Sequence, residues 1–148
     1  MITNVSIVTV WVKNIDESKA FYLDVLGFAE HTDITVADDF RWCTVCHPSQ
    51  PELQVHLSTP SPPLTPDMIS AIERSLDEGG SQGLGLNVDD CRKTVDELEG
   101  KGVEVVMPPA DRPYGVEAVV RDNCGNWLVL VEPKDFTEAD FDGADLGV

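Results

Sequence analysis

The chain states one supersecondary pattern twice, and this repeat restricts the available folds more than any other feature. Val12-Lys13-Asn14 falls on Val88-Asp89-Asp90 at an offset of 76, and Gly27-Phe28 falls on Gly102-Val103 at 75. Leu57-Ser58-Thr59-Pro60 falls on Leu130-Val131-Glu132-Pro133 at 73. A drift this small is what short loop insertions produce. A repeat of this size also implies that neither copy buries its apolar face alone.

The punctuation within each copy gives the element types. In Val5–Val12, Val5, Ile7, Thr9 and Trp11 share one face and Ser6, Val8, Val10 and Val12 the other, which is a strand period. Asn14 with Glu17 resembles a capping box, Ser18, Phe21, Tyr22 and Val25 then fall at helical spacing, and Gly27 ends the helix. Strands are predicted at Ala29–Thr35, Phe40–Cys46 and Leu53–Leu57. After a Pro-rich break and a short helix near Asp67–Leu76, the series restarts. Leu84–Val88 reads as a strand, Asp89 or Asp90 as a cap, and Cys91, Val95 and Leu98 as a helix face. Val103–Met107, Val116–Arg121 and Trp127–Val131 read as strands. Both copies are β, α, β, β, β, so the predicted class is α+β, with two βαβββ repeats forming a curved mixed sheet around a cavity.

With 148 residues and 42% hydrophobic composition, one domain with a core of its own is expected. The predicted boundaries are a single domain at 1–133 (repeat one 1–57, linker 58–80, repeat two 81–133) and an acidic C-terminal tail at 134–148 that reads as poorly ordered. No apolar run approaches the ~18 residues of a membrane span, and no signal-peptide pattern opens the chain, so a cytoplasmic protein is expected. The net charge of −17 repels phosphates and anionic lipid, which disfavours nucleic acid and membrane partners. Neutral or cationic small molecules stay open. Cys43 and Cys46 form a C-x-x-C within a predicted strand, where residues three apart face opposite ways, so free structural thiols are expected there.

Six segments, in order, carry a family resemblance across about residues 5–133. They are Val12-Lys13-Asn14 with Ser18-Lys19-Ala20-Phe21-Tyr22 and Leu26-Gly27-Phe28; Arg41-Trp42; Val88-Asp89-Asp90; Arg112-Pro113-Tyr114-Gly115; Arg121-Asp122-Asn123-Cys124-Gly125-Asn126; and Val131-Glu132-Pro133. The chain resembles the vicinal-oxygen-chelate superfamily of glyoxalases, extradiol dioxygenases, fosfomycin-modifying enzymes and bleomycin-resistance proteins. In enzymes of that superfamily, the first and last strand of each half each supply one His, Glu or Gln to a divalent metal. The resemblance places those positions at Ile7, His56, Gly83 and Val129. Only His56 can ligate, and shifts of one or two residues offer just Gln54 or Gln82. No metal, no other cofactor and no catalytic residue are therefore expected.

What the resemblance then implies is a metal-free binding protein of the bleomycin-resistance branch, a homodimer that confers antibiotic resistance by sequestering a bleomycin-, mitomycin- or enediyne-like drug. The expected ligand face holds Thr9, Trp11, Phe40, Trp42, Gln54, His56, Tyr114 and Trp127. Aromatic faces hold flat or cationic ligands by stacking and cation–π attraction, at roughly 0.5 to 2 kcal/mol each. Each tryptophan could equally be an ordinary core residue. The competing expectations are a metal-dependent glyoxalase- or dioxygenase-type lyase or isomerase with displaced ligands, and a structural dimer with a filled cavity.

Overall fold

The computed structural model describes residues 1–148. The elements are β1 (Ile7–Trp11), α1 (Ile15–Ala20), a π-helical turn (Phe21–Val25), β2 (Ala29–Thr35), β3 (Arg41–Cys46), β4 (Gln54–Ser58), α2 (Pro66–Glu78), β5 (Gly83–Asn87), α3 (Cys91–Gly100), β6 (Val105–Arg112), β7 (Gly115–Arg121) and β8 (Trp127–Pro133). They form two four-stranded mixed sheets, ordered β1-β4-β3-β2 and β5-β8-β7-β6. In each, the first and last strands of the repeat pair in parallel and the remaining pairs are antiparallel. The fold is α+β, built from two βαβββ repeats. No helix is long and apolar enough to cross a membrane.

The same local chemistry starts and stops the helix of each repeat. Asn14 accepts a hydrogen bond from the Glu17 amide, and Asp90 accepts one from the Lys93 amide. Gly27 and Gly102 follow the helices with φ of 76° and 85°, a left-handed turn that glycine adopts without a Cβ penalty. The first helix differs from the sequence expectation in widening to a π turn at Phe21. Tyr22 is fully buried in that turn, edge-on to Phe28 with ring centroids 5.7 Å apart.

Two compact units result, one comprising Met1–Gln82 with Asn123–Asn126 and the other Gly83–Asp122 with Trp127–Val148. In the first, α1 packs on β3 and β4. The face turned toward α1 buries Val10, Cys43, Val45, Val55 and Leu57. Its rim is an ion network in which Asp33 accepts from Lys19 Nζ at 2.8 Å and from Arg41 Nε and Nη2 at 2.9 and 2.8 Å, while Arg41 Nη1 reaches Asp16 at 2.6 Å. Asp33 on β2 thus ties both β3 and α1. The first unit is also stapled by Asn126, which is buried. Its Oδ1 accepts from the Ser81 and Gln82 amides at 2.9 and 3.2 Å, and its Nδ2 donates to the Trp11 carbonyl at 3.0 Å. Gln82 in turn pairs with the outer edge of β1, donating to the Thr9 carbonyl at 2.7 Å and accepting from the Trp11 amide at 2.9 Å.

In the second unit α3 packs on β6, β7 and β8, and Cys91, Val95, Ala118, Val120, Leu128 and Leu130 form its core. Burying each such aliphatic side chain is worth roughly 1.5 to 3 kcal/mol. The strand expected to end at Met107 continues to Arg112 through Pro108 and Pro109. An edge strand tolerates this, because an outward-facing proline removes no ladder hydrogen bond, and the register shifts between Met107 and Ala110. The C-terminal tail, expected to be loose, forms a 3-10 turn at Glu138–Phe141. Phe141 stacks on Tyr114 at 6.2 Å, and the Asp145 carbonyl accepts from Arg112 at 3.2 Å. Apolar anchors within an acidic segment account for the difference. All four cysteines are free and buried.

Candidate functional site

The site is built on the face of the first sheet that points away from α1. Asp33 and Arg41 reach toward α1, so strand alternation turns Trp42 and Thr44 the other way. The ladders pair Thr44 with His56 and His56 with Thr9, which brings Gln54, His56, Ile7, Thr9 and Trp11 onto this same face. The spacing of residues in the sequence predicts this grouping, and the ladders supply its neighbours. Ile34 stands opposite Trp42 in the β2–β3 ladder.

His56 lies at the centre. It is 7% exposed, the Trp42 ring covers it at a centroid distance of 4.2 Å and a tilt of 31°, and Phe40 stands edge-on at 6.5 Å. Burial pushes the imidazole pKa below its ordinary value, so the ring is held neutral near pH 7. Its Nε2 is buried without a hydrogen-bond partner. Buried polar atoms in native proteins are nearly always satisfied, so this unpaired nitrogen beside aromatic rings stands out in the sheet. Phe40 is 40% exposed and follows a turn in which Asp38 and Asp39 take left-handed φ of 58° and 62°. Gln54 is half-buried, and its Oε1 accepts from the buried Thr44 hydroxyl at 2.8 Å. Thr44 was not among the expected site residues, although its alternation with Trp42 could have identified it.

Thr9 and Trp11 are half-buried on the same face, beside His56 and one strand pair further on. Trp11 is anchored through its backbone by Gln82 and Asn126, so Gln82 is committed to holding β1 and does not stand beside His56 as a ligand.

Tyr114 and Trp127 belong to the second unit. Tyr114 closes the tight β6–β7 turn. Its hydroxyl donates to Glu117 at 2.6 Å, and Glu117 also neighbours the buried Arg112 at 3.5 Å. Burial, then the Glu117 carboxylate, raises the Tyr114 pKa. Trp127 is 43% exposed and pairs with Gly83 across the β5–β8 ladder. A Cβ on Gly83 would meet Trp127 Nε1 at 1.9 Å, so the indole occupies the space that a side chain at position 83 would take. This dependence on a residue 44 positions away is invisible in the sequence around Gly83.

The ladders give a test of whether the residues suit a vicinal-oxygen-chelate metal. Ile7 pairs with Gln54 and Thr9 with His56 in one sheet, as Gly83 pairs with Trp127 and Gly85 with Val129 in the other. The resemblance places the metal-ligand positions at Ile7, His56, Gly83 and Val129, and these ladders put the two pairs in equivalent registers. Isoleucine and valine offer no lone pair, and position 83 is filled by an indole. No three His, Cys, Asp or Glu side chains converge elsewhere. The residues do not fit the metal.

Comparison with known proteins agrees with this architecture. A curated relative in Shewanella frigidimarina, an uncharacterised protein, is 31% identical over 125 residues, spanning 84% of this chain and 89% of its own. Among solved structures, UcmS2 is similar with a TM-score of 0.79 and 35% identity, covering 89% of this chain and 99% of that one. TnmS3, an antibiotic binding protein from Streptomyces sp. CB03234, has a TM-score of 0.71 and 26% identity, covering 90% and 98%. The model of the Glyoxalase/Bleomycin resistance protein/Dioxygenase superfamily matches residues 4–130, and the chain belongs to that superfamily.

Proposed function

We propose that this protein binds a small aromatic antibiotic without a metal and withholds it from its target unchanged, as a resistance protein of the sequestering kind. The observation that carries the reading is the buried, neutral, unpaired His56 beneath Trp42 and Phe40, in a fold where the other three positions for metal ligands are Ile7, Gly83 and Val129. Trp42 offers a planar ligand a stacking surface, Phe40 offers an exposed edge, and Gln54, His56, Thr9 and Trp11 complete the group. Similarity to TnmS3, whose stated property is antibiotic binding, supports the ligand class. The net charge of −17 favours neutral or cationic drugs, with bleomycin-, mitomycin- and enediyne-like compounds the first to try. The functional form is proposed to be a homodimer.

Titration of tryptophan fluorescence against such a panel tests the proposal. Saturable quenching is expected, weakened about tenfold or more in Trp42→Leu, which loses a stacking ring. A panel that leaves the emission unchanged would contradict the reading. Ligand recovered with a changed mass would instead point to a lyase or isomerase.

A further inference from the structure

The C-terminal segment occupies a seat on the second sheet that its own side chains fill poorly. α3 packs against Ala118 and Val120, so alternation turns Glu117 and Val119 to the opposite face of β7. The ladder sets Met107 beside Val119 and Arg112 beside Gly115 on that face. Residues from Phe141 to Gly147 lie against it. The Phe141 ring stacks on Tyr114 at 6.2 Å, and the Asp145 carbonyl accepts from Arg112 Nη1 at 3.2 Å. Gly147 is so near the guanidinium that a Cβ there would collide with Arg112 Nη2 and reach Met107 Cε at 3.3 Å.

Arg112 is left short of acceptors. A guanidinium carries a fork of N–H donors, yet this side chain, only 6% exposed, makes one hydrogen bond and buries its Nε without a partner. Glu117 does not fill the gap, because it accepts from the Tyr114 hydroxyl at 2.6 Å and stands 3.5 Å from Nε. The Asp145 carboxylate is also 3.5 Å away, exposed, and accepts from the Gly147 amide. A buried cation with unused donors is unfavourable, and its fork matches the two oxygens of a single carboxylate. The segment brings a ring and a carboxylate to the seat without making that match. Little else holds it down: Phe136 and Val148 are exposed, and Gly143 and Gly147 keep left-handed φ of 70° and 71°.

We propose that this face of the second sheet is a binding site for an aromatic carboxylate, whose ring takes the place of Phe141 on Tyr114 and whose carboxylate takes that of Asp145 on Arg112. Residues 136–148 are then a strap that such a ligand displaces. The proposal does not depend on the drug-binding reading of the first sheet. The net charge of −17 opposes an anion at long range, but physiological salt screens exposed charges beyond about 8 Å, so the contact with Arg112 decides.

2-Naphthoate and 2-naphthylmethylamine, which share a ring system and differ in charge, test this by equilibrium dialysis against the full chain. Phe141→Ala and Gly147→Ala loosen the strap and lie outside the sheet. Each is expected to bind the naphthoate about tenfold more tightly than wild type, the gain if the seat is free in about one wild-type molecule in ten. Each should bind the amine as wild type does. In reverse, saturating naphthoate should speed cleavage of the wild-type strap by a protease specific for Glu and Asp, and the amine should not. Naphthoate affinity unchanged in both variants, strap cleavage indifferent to naphthoate, or an equal gain for both probes would each overturn the proposal.

Discussion

A histidine buried beneath a tryptophan ties site chemistry to folding. Because burial lowers the His56 pKa in the native state, the unfolded chain takes up the proton first as pH falls through about 6.5. The stability that His56 contributes is therefore complete above that pH and is lost on acidification toward its lowered native value. Urea denaturation from pH 8 to 5.5 should show wild-type stability declining below about 6.5, with a shallower decline in His56→Gln. Parallel curves for the two proteins would contradict the assignment, since His31 and His47 are exposed. At this scale the sequence yields Gln54, His56 and Trp42, because one closing proline in each repeat, Pro60 and Pro133, fixes the strand register. Thr44 escapes local pattern, since its meaning lies in a cross-strand partner ten residues away.

Elements are held by a few polar groups that bridge them. Asp33 receives both Arg41 and Lys19, and these cations hold its carboxyl well below the usual carboxylate range. Its contribution is present above the unfolded carboxylate pKa of about 4 and is lost as pH falls below it. Asp33→Asn should lower unfolding free energy by about 1 to 3 kcal/mol at pH 7, measured by urea denaturation, since the side chain is mostly buried and all three of its bonds are to charged groups. On the second sheet, Gly83→Ala should displace the Trp127 indole, destabilise the protein by about 1 kcal/mol and shift tryptophan emission. Adding Trp127→Ala should remove most of that penalty, and strictly additive effects would contradict the clash. Most elements are legible in the sequence because caps, C-terminal glycines and strand alternation occur twice. The extension of β6 is not, because Pro108-Pro109 is read as a break unless the strand is known to be an edge.

The whole molecule combines a duplicated scaffold with unequal halves. In one, His56 lies among aromatic rings; in the other, its counterpart is Val129, and the Trp127 indole fills the space at Gly83. The repeat made the architecture readable, because it forces both halves to obey one pattern. Ligand identity was not readable, since it depends on where side chains meet and on no motif. The edge strands β2 and β6 both carry register shifts, which hinder sheet extension at those two edges, and the protein is proposed to be a dimer. Sedimentation velocity at micromolar concentration should then give a dimer of this 16.2 kDa chain. The proposed activity is metal-free binding without turnover. Protein dialysed against a strong chelator, incubated with a ligand that quenches its tryptophans, and then denatured should release that ligand at its original mass and in stoichiometric amount. Affinity that disappears with the chelator and returns with a divalent metal, or a product of altered mass, would contradict metal-free sequestration.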